Sequence, residues 1–364
     1  MKLALNKLQA TLLAASTMAA LASPASAVVY KDLNPLGGAA DFSGFFFDNV
    51  SGVKDVEGRL AVGGQLIVGP GATSIGYRAQ GDKPVLVVRN DIVSGASSVK
   101  LEKAPAGVNP NQGYGPITDY TPELSYGVIG GKVNRDSNGK LVEGSSLGNN
   151  GATQPIHDLN AGVMKVVDFQ GIKENLAKTS SFLSKLQATG SDQFKWGEIL
   201  LTGTGAKTEV FNLDNTVSKY WAETGAREGV LQNLRLSGIA DGATVIINYS
   251  GTNPSFSDVI FSGGQLEQFE EKRANVLFNF RNAKEVSVNT HVWGSILAPG
   301  ATLFGTGHVE GTTVAWAMKG QVELGYEPFK GTVMTPVPEP ETYALMGLGL
   351  VGLLAARRRK AKQA

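Results

Sequence analysis

A four-residue pattern recurs along this chain and limits how it can fold. His291-Val292-Trp293-Gly294 returns 17 residues later as His308-Val309-Glu310-Gly311, and Asp55-Val56-Glu57-Gly58 is an earlier copy. Each copy leads into a short apolar run, at residues 60–62, 296–298 and 314–316. A unit of roughly 17 to 20 residues, built as strand, turn and strand, is the size of one coil of a β-solenoid. Stacked coils pair every backbone donor and acceptor and bury a continuous apolar interior, with glycine at corners that need positive φ. The expected fold class is mainly β, a right-handed β-solenoid (parallel β-helix) with one inserted α-helix. Short strands and frequent turns also fit an antiparallel β-sandwich, which stays open as the alternative.

The rest of the body agrees with a β-rich reading. Short β-branched runs bounded by turn residues fall at 56–68, 85–93, 163–167, 199–202, 244–249, 276–280, 286–288 and 293–297. One segment differs. Phe169, Ile172, Leu176, Leu183 and Leu186 keep near-helical spacing, with Asp168 as N-cap and Gly190 as stop, so a helix is expected over 168–189. Residues 105–155 are rich in Gly, Pro, Asn and Ser and read as a loop-rich insertion with little core of its own. Phe45, Phe46 and Phe47 read as a buried cap over one end of the stack, since large exposed apolar patches are uncommon without a function. Trp196, Trp221, Trp293 and Trp316 read mainly as core. There is no Cys, so packing and hydrogen bonds alone must hold the body together.

The two ends carry addresses. Lys2 and Lys7 precede an apolar run at 8–22, and Ala25-Ser26-Ala27 supplies the small-x-small pattern that signal peptidase reads. Residues 1–27 are expected to be a signal peptide and helix, cleaved after Ala27, with Ala25 and Ala27 as its recognition residues. At the other end Val337-Pro338-Glu339-Pro340 precedes an apolar stretch at 343–356, and Arg357, Arg358, Arg359, Lys360 and Lys362 follow. As a helix that stretch would reach about 21 Å, short of the roughly 30 Å of a hydrocarbon core. Arginines can snorkel and a bilayer can thin. The expectation is a hydrophobic, transmembrane helix inserted briefly in the inner membrane, with Arg357 to Lys360 as the stop on the cytoplasmic side.

Two resemblances follow from these residues. Val-Pro-Glu-Pro, a short apolar helix and an Arg cluster, in that order over 337–360, resemble the PEP-CTERM sorting signal of Gram-negative bacteria. That resemblance implies an exosortase as the sorting enzyme and an association with exopolysaccharide and biofilm. Asp55-Val56-Glu57-Gly58-Arg59-Leu60-Ala61-Val62-Gly63-Gly64, with Val276-Leu277-Phe278-Asn279-Phe280 and Gly294-Ser295-Ile296-Leu297-Ala298-Pro299, resembles the choice-of-anchor A family over about residues 34–330. It implies an adhesive domain over 28–336, joined to varied surface anchors, with no firmly implied activity.

Other chemistry is mostly set aside. Between the two ends lie 26 basic and 30 acidic residues, so the body is mildly acidic and unsuited to nucleic acid. Gly144-Ser145-Ser146-Leu147-Gly148 fits a nucleophile elbow but sits in a polar loop without the strand and helix that the motif needs. Gly347-Leu348-Gly349-Leu350-Val351-Gly352 fits a dinucleotide fingerprint but no βαβ unit can follow it. His291 and His308 occupy equivalent repeat positions and would stack one strand apart; two histidines without a matched carboxylate are read as structural rather than as metal ligands. Thr302, Thr306, Thr312 and Thr313 are too irregular for an ice-binding array. No catalytic residue, metal ligand or cofactor is assigned. The expected function is an exported surface or matrix protein, reached through signal peptidase and the export machinery and sorted by an exosortase, with exopolysaccharide or other glycans as partners. The alternative is a polysaccharide lyase or hydrolase, for which Asp55, Glu57 and Glu310 are candidates by repeat position.

Overall fold

The computed structural model describes residues 29–69, 72–93, 98–110, 120–134, 141–143, 145–147, 153–155, 166–256 and 266–337. Described residues within 34–333 form one compact unit; the described residues 29–33 and 334–337 belong to a second. The architecture is mainly β, with parallel and antiparallel pairings and a few short helices.

Parallel pairing dominates the larger unit and falls into three ladders. The first runs in the order Gly127–Ile129, Leu86–Val88, Leu60–Val62, Gly44–Phe46, Thr313–Gly320, Ser295–Gly305, Val276–Asn279, Thr244–Asn248 and Thr208–Asn212. The second runs through Lys132–Asn134, Ile92–Val93, Leu66–Ile67 and Val50–Ser51 to the later halves of Thr313–Gly320 and Ser295–Gly305, then Glu285–Val288 and Ser255–Phe256. The third is Ser98–Lys103, Ala72–Ile75, Asp55–Val56, Glu323–Leu324, His308–Glu310 and His291–Trp293, with Glu123–Leu124 antiparallel at one edge. Ladders built from parallel neighbours do not suit the antiparallel sandwich.

The spatial order is not the chain order. The chain starts mid-ladder at Gly44–Phe46 and adds strands outward to Gly127–Ile129. It later returns from Thr208–Asn212 at the opposite end, and Thr313–Gly320 closes against the strand from which it began. Glycine makes the repeated bend between the second and third ladders possible. Gly305 and Gly320 are paired neighbours with φ of +125° and +135°, and Gly52 stands beside Gly320 at +87°. A Cβ on Gly305 would lie 1.9 Å from the Val288 carbonyl oxygen. Only glycine tolerates both that conformation and that approach.

Strand alternation makes two cores, one on each side of the first ladder. Phe46, Leu60, Val62, Leu86, Val88, Phe278 and Ile296 face the core shared with the other ladders. Phe45, Ala61, Val87, Leu277, Leu297 and Val314 face the other way and pack with α1, Phe169–Leu183, through Phe169, Leu176 and Leu183. The Phe45–Phe47 run is therefore buried, but at mid-ladder, between Leu60–Val62 and Thr313–Gly320, not at an end. Asp168 caps α1 by accepting from the Gly171 N–H at 2.9 Å. The helix stops before the expected residue 189, where side-chain amides take its last carbonyls: Asn279 from Ser180 and Asn248 from Leu183.

Several expectations need correction. A single helix is too few, because α2, Asp214–Thr224, and α3, Leu266–Lys272, are also present. Gly127–Ile129 and Lys132–Asn134 join two ladders and Ile129 is fully buried, so 105–155 is not all loop. Ser145–Leu147 pairs antiparallel with Thr153–Pro155, so Ser146 lies inside a strand and not at a strand-to-helix turn. Trp196 is 79% exposed and no core residue; with Gly197 it makes the positive-φ turn between Ser191–Lys195 and Glu198–Thr202. No helix among the described residues is long and apolar enough to cross a membrane, which corrects the expected transmembrane helix. The stretch 343–356 itself lies outside the described residues, and its length falls short of a hydrocarbon core. Val29–Leu33 pairs with Val333–Val337.

Candidate functional site

The outer side of the third ladder collects most of the ionisable groups singled out by the repeat. Each copy alternates: Val292, Val309, Leu324, Val56, Ile75 and Leu101 turn into the core and are nearly or wholly buried. The residues before them therefore share the opposite side. Pairing sets His291 beside His308, His308 beside Glu323, Asp55 beside Ser74 and Ser74 beside Lys100. The pair Leu324 and Val56 places Glu323 next to Asp55. Trp293 and Glu310 form a second pair two residues on.

The imidazoles of His291 and His308 stack, with ring centroids 4.4 Å apart and planes 13° from parallel. Trp293 lies 4.2 Å from the His291 ring. His308 is held at both nitrogens: Nε2 is 2.7 Å from Glu310 Oε2, and Nδ1 is 3.3 Å from Glu323 Oε2. Burial and the neighbouring His308 push the His291 pKa down to about 4. Burial also opposes charge on His308, but Glu310 and Glu323 outweigh it and raise its pKa. Burial would raise Glu310, and His308 more than reverses that.

Beside this group lies a second one. The Tyr77 hydroxyl is 2.8 Å from Glu57 Oε1 and 3.3 Å from Asp55 Oδ2. Glu57 Oε2 accepts from the Tyr326 N–H at 3.0 Å and pairs with Arg78 Nε at 3.3 Å. Burial, then the charges of Glu57 and Glu323, push Asp55 up to about 6. A glycosidase needs two carboxylates flanking a bond with room for the sugar between them. Here one phenol bridges both carboxylates, and both Glu57 oxygens are engaged. No catalytic cluster among the described residues supports the lyase or hydrolase alternative.

Asp55, Glu57, His291, His308 and Glu310 are thus brought to one side of one ladder, as the repeat implied. Sequence reasoning missed Glu323, Tyr77 and Gly325. Glu323-Leu324-Gly325 is a shortened copy of the repeat, 15 residues after His308, and that spacing was its only signal. Ala25, Ala27, Pro338, Glu339, Pro340, Arg357, Arg358, Arg359 and Lys360 lie outside the described residues, as does His157; Val337 ends the last strand.

Residues 35–326 match the family described as "Putative Ice-binding-like adhesive domain". The chain belongs to that family. Residues 336–360 match the PEP-CTERM protein-sorting motif. This adhesive-domain protein is therefore an exported surface protein sorted by an exosortase-type system, and both resemblances drawn from the sequence hold. No curated protein and no solved structure matches the chain.

Proposed function

We propose that the three ladders wind as one right-handed β-solenoid, and that the protein works without catalysis as an adhesin or structural component of an extracellular polymer. Its partner class is exopolysaccharide or another surface glycan. Processing removes residues 1–27 after Ala27, and the exosortase acts at Val337-Pro338-Glu339-Pro340 ahead of the Arg357 to Lys360 cluster. One observation carries the reading of the partner: the row His291, His308, Glu323, Asp55, Ser74 and Lys100, one residue per strand, on the outer side of the third ladder. Strands are about 4.8 Å apart, so hydrogen-bonding groups recur at a fixed short interval. A polysaccharide offers hydroxyls at its own regular interval, and a periodic polar row can engage several of them at once. The ice-binding wording of the family description would call for exposed threonines, and Thr312 and Thr313 are fully buried.

Co-sedimentation of the exported protein with exopolysaccharide from the producing organism tests this. Retention that falls on Lys100→Ala and Glu323→Ala supports the row as the binding surface. Failure to be retained by any surface glycan would remove the proposed partner.

A further inference from the structure

We propose that His291, His308 and Glu310 form a binding site for a divalent transition-metal ion of the zinc class. The repeat puts a histidine at the same position of two successive strands, and parallel pairing sets those histidines side by side. Glu310 follows His308 by two residues and so shares its side of the strand. One ligand atom from each of the three residues can be chosen so that all lie within 4.8 Å of one another.

Two further features point to an ion. In metal-binding histidines the nitrogen away from the metal is usually held by a carboxylate, which fixes the ring. His308 has that arrangement: Glu323 holds Nδ1 at 3.3 Å while Nε2 faces Glu310 at 2.7 Å. Space is also kept over the same atoms, because a Cβ on Gly325 would lie 2.6 Å from His308 Nε2 and 2.7 Å from Glu310 Oε2. The nearby cation Arg273 is tied to Glu327 at 3.2 Å.

Two imidazole nitrogens and one carboxylate oxygen suit Zn²⁺, with a fourth position left for water; Ca²⁺ and Mg²⁺ prefer all-oxygen sets. The ion takes the place of the proton shared by His308 and Glu310, and that proton leaves to solvent. The site shares His291 and His308 with the row proposed for glycan, so a titration with no glycan present reads metal binding by itself.

Calorimetric titration of the chelator-stripped full chain with ZnCl₂, and visible absorption with CoCl₂, test the site. One ion per chain is expected, with tetrahedral Co²⁺ bands and no competition by Ca²⁺. Glu323→Gln should weaken zinc binding by about 10–100-fold, as loss of an outer-shell partner does. His291→Gln and Glu310→Gln should abolish the Co²⁺ spectrum, whereas His157→Gln should leave it unchanged. Zinc should raise the unfolding midpoint of the parent and not of Glu310→Gln. If His308→Gln does not fold, Glu310→Gln and Glu323→Gln decide. Absence of zinc binding, or binding that survives His291→Gln and Glu310→Gln or is lost with His157→Gln, overturns the proposal.

Discussion

Asn279 donates from Nδ2 to Oδ1 of Asn248 at 2.8 Å, across two paired strands of the first ladder. Asn248 passes the pattern on, donating to Asn212 Oδ1 at 2.9 Å. The same amides reach the end of α1, where Asn248 donates to the Leu183 carbonyl at 2.9 Å and Asn279 to that of Ser180 at 3.0 Å. An α-helix leaves its last carbonyls without internal partners. Here the Ser184 and Leu186 N–H groups take the Ser180 and Leu183 carbonyls at 3.1 and 3.2 Å, and a column of asparagines adds a second donor to each and ties the helix to the ladder.

Asn248→Ala should therefore cost more than one hydrogen bond. It removes the bonds to the Leu183 carbonyl, to Asn212 Oδ1 and from Asn279 Nδ2 together, leaving Leu183 with the Leu186 N–H at 3.2 Å and Asn279 with the Ser180 carbonyl at 3.0 Å. Unsatisfied buried groups cost about 1–3 kcal/mol each before relaxation. We expect a net loss of about 2–4 kcal/mol in urea unfolding. A loss indistinguishable from that of an exposed Asn282→Ala control would show that the column does not bear on stability.

Glu209 makes a prediction about pH. It is fully buried, and its Oε1 accepts from the Thr204 N–H at 2.6 Å, the Thr204 hydroxyl at 3.0 Å and the Ala206 N–H at 2.9 Å. Its Oε2 accepts from the Thr189 hydroxyl at 2.8 Å. Burial alone would raise its pKa, but these bonds outweigh it and hold the carboxyl below its ordinary value of 4.5. The stabilisation is then present above pH 4.5 and is lost as pH falls through the lower, folded value. Unfolding free energy measured from pH 7 down to pH 3 should drop more steeply in the parent than in Glu209→Gln, which keeps one neutral pH-independent side chain there. Parallel curves would contradict the assignment.

Legibility differed from feature to feature for physical reasons. The repeat was readable because inward Val292, Val309 and Val56 and outward His291, His308 and Asp55 obey strand alternation, which is local. The meeting of Gly44–Phe46 with Thr313–Gly320 was not, because nothing local records that the chain stacks from the middle outward and returns from the far end. That order also explains the misplaced Phe45–Phe47 run: it stands near the start of the body but in the middle of the ladder. Asn212, Asn248 and Asn279 could not be linked in advance, since their spacing of 36 and 31 residues has meaning only once the strands are in register. Tyr77 joined Asp55 and Glu57 in the same way, through the turn after Ala72–Ile75.

The bend at Gly305 can be tested directly. Its φ of +125° and the 1.9 Å approach of a Cβ to the Val288 carbonyl leave no room for a side chain. Gly320 on the next strand is packed as closely: a Cβ there would lie 2.6 Å from the Gly305 carbonyl oxygen. Gly305→Ala should cost about 3 kcal/mol or more, at the diagnostic end for single substitutions. Gly242→Ala, at φ +70° with nothing within 4 Å of its Cβ, should pay backbone strain alone, about 1–2 kcal/mol. Thermal melts of the two variants should therefore separate; equal shifts would mean that the close approach at Gly305 relaxes freely.

The sorting tail gives the last prediction. Val333–Val337 pairs with Val29–Leu33, so the strand that leads into Pro338 lies beside the one that begins two residues after Ala27. Proline removes a backbone donor and restricts the residue before it to extended conformations. A Pro-Glu-Pro run is therefore a poor partner for strand pairing, which gives a chemical reason for an enzyme to read it as a motif. Replacing both with alanine should leave the C-terminal residues attached in the exported protein, detected by intact-mass measurement of the released and cell-bound fractions. The N-terminus should still begin at Val28 in that variant, because the proposed signal-peptidase site at Ala25 and Ala27 is separate from the two prolines. Normal removal of the tail without the two prolines would detach the sorting step from this motif.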